Sequence, residues 1–158
     1  MSDLLVLRYA EGAADMDAVR ALFREYEAGL GVSLCFQGFE AELAGLPGKY
    51  ADPAGCILLA DADGQPVGVV ALCGETNGDT AEMKRLYVKP GSRGLGLGRR
   101  LAAATIDEAR KRGHRRLRLH TLSRLVEAVA LYRSLGFAEV LAFDGVPHEG
   151  VRWFEMAL

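Results

Sequence analysis

Four glycines fall within eight residues, at Gly91, Gly94, Gly96 and Gly98, between an apolar stretch ending at Val88 and a helix-patterned run beginning at Arg99. Glycine at that density suits neither a helix nor a strand interior, because it loses more backbone entropy on ordering than any other residue. The segment must be a loop, and its flanks make it the middle of a strand–loop–helix unit. Such a loop leaves main-chain N–H groups uncovered. The first turn of the following helix adds its own unpaired donors and the positive end of its dipole. Together these are the physical requirements of a polyphosphate cradle. Arg99 and Arg100 point the same way. They occupy the first helical turn, where a cation costs on the order of 0.3–1 kcal/mol unless an anion is bound.

The remaining periodicities supply a sheet and further helices. Leu4 to Arg8 reads as a first strand. Met16, Val19, Leu22, Phe23 and Tyr26 recur at helical spacing within an amphipathic helix over Asp15 to Ala28, stopped by Gly29. Phe39, Leu43 and Leu46 mark a short second helix ended by Pro47-Gly48. Cys56 to Ala60 and Val67 to Cys73 form a hairpin around Asp61 to Gln65, and Ala81 to Val88 follows the turn-forming Thr76-Asn77-Gly78-Asp79. Residues 99 to 112 form a helix with Gly113 as its cap, and Leu117, Leu119 and Thr121 alternate as a strand. Leu125, Ala128, Leu131, Tyr132 and Leu135 mark a last helix ending at Gly136. Phe137 to Phe143 and Val151 to Leu158 then close as an antiparallel pair around Asp144 to Gly150. Strands that first meander and then alternate with helices give an α/β or α+β class with a mixed sheet. No linker, repeat or low-complexity run interrupts residues 1–158, so we expect one domain.

Charge is segregated along the chain. Residues 1–83 hold 4 basic and 14 acidic side chains, residues 84–124 hold 13 basic and 2 acidic, and residues 125–158 hold 2 basic and 5 acidic. The middle segment is therefore suited to an anion, or to pairing with the acidic half. Nucleic acid is disfavoured, because Tyr87 is the one aromatic between 84 and 124 and base stacking has little to work with. With 50% apolar and 25% charged residues the composition is globular. The mostly apolar stretch Val67 to Gly74 is far short of the ~20 residues that cross a bilayer. Met1 to Leu4 has no secretory character. Cys35, Cys56 and Cys73 lie far apart without a CxxC spacing, which argues against a disulfide framework or zinc and for a cytoplasmic location.

Two nucleotide motifs fail against the glycine loop. Gly91 and Gly96 have the Walker A spacing, but Leu97-Gly98 stands where Lys and a hydroxyl are required. A dinucleotide fingerprint needs its last glycine one place later than Gly98 and an acidic residue ~20 positions on, where residues 114 to 118 are basic. The pattern Arg-x-x-Gly-x-Gly, at Arg93, Gly96 and Gly98, instead resembles the signature of the GNAT superfamily of acetyl-CoA-dependent N-acetyltransferases. Upstream, Glu82-Met83-Lys84-Arg85-Leu86-Tyr87-Val88 resembles the family's strand beside the acetyl-CoA. Downstream, Ala128 to Phe137 resembles its second motif, helix into strand.

The resemblance implies a twisted, mixed, mostly antiparallel sheet of about six or seven strands flanked by about four helices. It implies direct acetyl transfer from acetyl-CoA to a primary amine, on a small molecule or an exposed protein amine, with no metal and no covalent enzyme intermediate. The pyrophosphate of coenzyme A falls on Arg93, Gly94, Leu95, Gly96, Leu97, Gly98 and Arg99. The pantetheine arm falls along the main chain of Leu86, Tyr87 and Val88, with an amide near Leu86 polarising the thioester carbonyl. Tyr132 matches the tyrosine that approaches the CoA sulfur, as general acid. Glu82 is the candidate base, acting directly or through water, with pairing to Lys84 or Arg85 as its alternative fate. His120 is a second candidate base, His114 and His148 have weaker claims, and Cys35 and Cys73 are expected as inert thiols. Leu125 stands where many family members carry an Asn, which removes a side-chain bond to pantetheine. Family experience places acceptor choice in about Ala28 to Tyr50 and in Asp144 to Gly150, and the acidic N-terminal half favours a cationic acceptor. Homodimers are frequent in the family, so a homodimer is open to this chain. A non-catalytic acyl-CoA-binding regulatory module on the same fold is the alternative.

Overall fold

A computed structural model describes residues 5–31, 38–75, 78–143, 145–146 and 149–158. Cys35, Thr76-Asn77, Asp144 and His148 lie outside them. Seven strands, β1 (Leu5–Tyr9), β2 (Cys56–Ala62), β3 (Gln65–Gly74), β4 (Thr80–Val88), β5 (Arg116–Leu122), β6 (Ala138–Val140) and β7 (Val151–Ala157), form one sheet in the order β1-β2-β3-β4-β5-β7-β6. All neighbours are antiparallel except β4 and β5. The helices are α1 (Gly12–Leu30), α2 (Phe39–Ala44), α3 (Leu97–Lys111) and α4 (Val126–Ser134). The mixed, mostly antiparallel sheet with four helices is the architecture expected.

The strands are apolar on both faces because both faces are covered. On β2, Leu58 and Ala60 join a core beneath α3 and α4, while Ile57 and Leu59 join a second core beneath α1 and α2. β3 divides the same way, Val70 and Leu72 against Val69 and Ala71.

Several boundaries differ from the expected ones. Helix α1 runs through Gly29 and stops at Gly31, whose φ of 71° supplies the left-handed cap. The hairpin is tighter than expected, because Asp63 and Gly64 both take positive φ and let β2 and β3 close on a two-residue turn. Helix α3 starts at Leu97, so the glycine-rich segment supplies its first turn. Strand β6 covers Ala138–Val140 alone, with Phe137 ahead of it and Leu141 to Phe143 beyond it.

No helix among the described residues is long and apolar enough to cross a membrane. Packing at the start of β2 is tight: a Cβ at Gly55 would lie 2.3 Å from the Leu72 carbonyl oxygen and 3.1 Å from the Tyr50 main chain. Gly55→Ala is expected to lower the urea-unfolding free energy by about 2–3 kcal/mol, since the obstacle is backbone. A change below about 0.5 kcal/mol in equilibrium denaturation would contradict this packing.

Candidate active site

The site begins where two strands part. β4 and β5 pair in parallel at Thr80–Arg116, Ala81–Leu117 and Glu82–Arg118 and no further, although β4 continues to Val88 and β5 to Leu122. From Met83 onward no strand among the described residues pairs with the β5-facing edge of β4. Two adjoining hollows occupy the gap and share Tyr26, Leu86, Leu125 and Ala128 in their walls. The smaller, about 70 Å³, lies between Glu82, Lys84, His120 and Tyr132. The larger, about 430 Å³, runs past Tyr87, Val88, Arg93 and Arg124.

β4 carries a bulge at this point. Lys84 lies opposite Ala71 and Tyr87 opposite Val69, so Arg85 and Leu86 together face a single β3 residue and have no ladder partners. The extra residue reverses the side-chain alternation. Ala81 and Met83 point to the α3 core before the bulge, Leu86 and Val88 after it, while Tyr87 packs on the α1 side. Arg85 takes φ 62°, an uncommon conformation for a non-glycine residue.

Its side chain is fixed from outside the sheet. The Arg85 guanidinium meets the Glu42 carboxylate of α2 through two 3.0 Å hydrogen bonds and lies 5.3 Å from the Phe39 ring centroid. Both charged groups are buried, and Lys49 joins them 3.2 Å from Glu42. Burial alone would push the Glu42 carboxyl up, but Arg85 and Lys49 more than reverse this and hold it at about 2.

Of the expected acid–base residues, Glu82 does not pair with Lys84 or Arg85. Its Oε2 lies 3.3 Å from Nδ1 of His120, across the junction where the two strands separate. Burial raises the Glu82 carboxyl, yet His120 and the Lys84 and Arg118 charges outweigh it, so the group sits below its ordinary range and is anionic at neutral pH. His120 in turn stacks on Trp153, 4.9 Å between centroids. Tyr132 is buried between Phe137 and Phe154 and lines the smaller hollow; burial, with Tyr26 nearby, pushes its phenol well above 10, so it stays protonated. Cys73 is half-buried, and burial raises its thiol and that of Cys56, the latter to about 11, which leaves both unreactive.

The glycine segment is built to meet an anion. Gly94 and Gly96 have φ of 85° and 75°, and a Cβ at either would meet nothing within 4 Å. Gly96 caps α3 without a side-chain hydrogen bond, and no acidic residue sits in the first turn. The N–H groups from Gly94 to Arg99 have no main-chain acceptor among the described residues, and the helical ladder opens with Arg100 N–H to the Gly96 carbonyl. Arg93 differs from the rest of the segment: its N–H goes to the Pro90 carbonyl and its side chain to the Val88 carbonyl, over the Tyr87 ring. Leu97 is buried and anchors the helix start, Leu95 is exposed, Gly98 lies within the helix, and Arg99 bonds Ser134 of α4. This donor set fits a pyrophosphate. Leu125 places an apolar side chain in the walls of both hollows. Among the described residues no group of three or more His, Cys, Asp or Glu could hold a metal ion.

Four residues at the site carry no signal in the sequence. Tyr26 lines both hollows, but its helical spacing is indistinguishable from that of core residues. Arg124 lines the larger one without any motif to mark it. Arg85 and Glu42 stand 43 positions apart, and nothing local joins them.

Residues 17–137 match the Acetyltransferase (GNAT) family. An uncharacterised N-acetyltransferase of Schizosaccharomyces pombe is 42% identical over 124 residues, covering 78% of this chain and 76% of that protein. The crystal structure of a GNAT acetyltransferase from Staphylococcus aureus superposes with a TM-score of 0.80 at 17% identity, over 98% of this chain and 99% of that one. A Salmonella typhimurium acetyltransferase, yncA, solved with acetyl-CoA, gives a TM-score of 0.67 at 22% identity over 97% and 93% of the two chains.

The Arg85–Glu42 pair makes a prediction. Glu42 has its carboxyl depressed in the folded state, so its stabilisation is present above pH about 4.5 and is lost as pH falls toward about 2. Glu42→Gln is expected to cost on the order of 3 kcal/mol at pH 7 and to flatten the stability profile between pH 4.5 and 2.5. Denaturant titrations showing wild type and variant falling in parallel through that window would contradict it.

Proposed function

The chain belongs to the Acetyltransferase (GNAT) family, and from that premise we propose that it transfers acetyl from acetyl-CoA directly to a primary amine. One observation carries the reading: an unpaired strand edge from Met83 to Val88 runs between an anion cradle at one end and an acid–base cluster at the other. The donors from Gly94 to Arg99 take the pyrophosphate, and the main chain of Leu86, Tyr87 and Val88 takes the pantetheine arm as an added strand would. The bulge supports an unpaired amide near Leu86 as donor to the thioester oxygen, which gains charge in the transition state.

The acceptor nitrogen attacks the acetyl carbon; a C–N bond forms, the C–S bond breaks, and the sulfur leaves with the electron pair. The nitrogen's proton goes to the Glu82–His120 couple. Glu82 stays anionic and so can take that proton, directly or through water, with the His120 ring 3.3 Å from its carboxylate as the second candidate. Tyr132 donates to the departing sulfur. Burial holds the Tyr132 phenol above its ordinary range, so full transfer of its proton to the sulfur is disfavoured. Tyr132 therefore shares its proton as charge develops, and the thiolate takes its own from water.

Thiol release from acetyl-CoA across a panel of primary amines tests the reading, with amine-dependent release expected in equal amounts with acetylated product. Glu82→Gln is expected to lower kcat about a hundredfold, and Tyr132→Phe about tenfold, the smaller loss suiting a shared proton. Full turnover in both variants would remove the acid and base assignments, and no release with any amine would remove the transferase reading.

A further inference from the structure

Part of the basic middle of the chain is neutralised by the acidic half, and the cations left over are informative. Glu25 takes Lys89, Glu42 takes Arg85, Asp52 takes Arg112 and Glu75 takes Arg118. Among the described residues, Lys84, Arg93, Arg99, Arg100, Arg115 and Arg124 have no carboxylate within ion-pair distance. Arg115 is exposed at the opposite end of β5, and Arg99 and Arg100 flank the cradle. Arg93 and Arg124 line the larger hollow. Lys84 alone of the six lines the smaller hollow, beside Glu82, His120 and Tyr132, and alone of them is half-buried rather than exposed.

A half-buried ammonium with no hydrogen-bond or ion-pair partner is unfavourable. Burial, with Lys49 and Arg85 nearby, accordingly holds Lys84 below its ordinary range despite the Glu82 charge. Glu82 and Lys84 are i and i+2 on the regular part of β4, opposite Cys73 and Ala71, so both project from the same face. Their Cα atoms are separated by roughly 6.5 Å. One face therefore presents a carboxylate–imidazole couple and, two residues on, a lone cation. That arrangement fits a small zwitterion, with its amine at Glu82 and His120 and its carboxylate at Lys84. A protein amine fits less well, because the carboxyl nearest an N-terminus is tied up in a peptide bond.

We propose that the acceptor is a free α-amino acid, or a close relative with a carboxylate beside its primary amine, and that Lys84 binds that carboxylate. The expectation of a cationic acceptor rests on the acidic N-terminal half, much of which is consumed in pairing within the fold. The inference rests on the acetyltransferase reading, and its test separates the two. Matched pairs of α-amino acids and the amines left when their carboxylates are removed are assayed for acetyl-CoA-dependent thiol release. Wild type is expected to favour the best amino acid over its partner amine by about ten- to a hundredfold in kcat/KM, mainly through KM. In Lys84→Met that ratio is expected to fall toward one, and Lys84→Arg is expected to restore part of it. Thermal melting and acetyl-CoA calorimetry on each variant establish that fold and donor binding are intact. Amines turned over without preference for a carboxylate would overturn this inference and leave the transferase reading standing, as would a preference that Lys84→Met leaves unmoved. No thiol release with acceptors of either kind would overturn both.

Discussion

The hydrogen bonds that β4 and β5 do not make determine what this molecule can do. Three residue pairs join the strands, and beyond Glu82 and Arg118 the ladder stops. An internal strand edge left open inside a covered sheet leaves main-chain donors and acceptors that need partners. The bulge at Arg85 and Leu86 deepens the effect, because it removes two more residues from the β3 ladder and turns Leu86 toward the gap. A non-glycine residue at φ 62° costs of order 1–3 kcal/mol. The buried Glu42 carboxylate, clasping Arg85 from α2, holds that conformation in place. A short helix outside the sheet thereby sets the shape of the strand that borders the cleft.

The charge asymmetry acquires a structural meaning. The acidic first half and basic middle segment are brought together as pairs around β4, and the same pairing leaves particular cations unmatched. Most of those line the parting of the strands or the start of α3. Internal neutralisation thus accounts for some of the basic residues, and others beside the cleft and the start of α3 are left without a carboxylate. The carboxylate of Glu82 belongs to neither class, since it faces an imidazole instead of a permanent cation.

Much of the architecture was legible in the sequence because burial on both faces writes continuous apolar strands, and because glycine marks the cradle directly. The Gly94–Gly98 segment stands out by its glycines, Glu82 and Tyr132 only through the family resemblance, and all of them border one cleft and its adjoining helix start. What stayed hidden depends on register. The run Met83 to Val88 gives no sign that its alternation reverses, since apolar and basic residues are compatible with either face. His120 meets Glu82 only because the parallel ladder sets Glu82 opposite Arg118 and then stops. Gly29 read as a helix stop, yet the stop falls at Gly31, where positive φ is required. Strand β6 is shorter than its apolar run because β7 pairs with it over three residues alone.

The claim on which the rest turns is that the open β4 edge and the glycine turn bind one ligand together. Backbone amide shifts of isotopically labelled protein, followed during titration with acetyl-CoA, test it most directly. The account predicts saturable changes concentrated in two stretches, Met83 to Val88 and Gly94 to Arg99, with one shared affinity. Changes confined to the cradle, or centred instead on the separate hollow beside Tyr9 and Arg112, would contradict it.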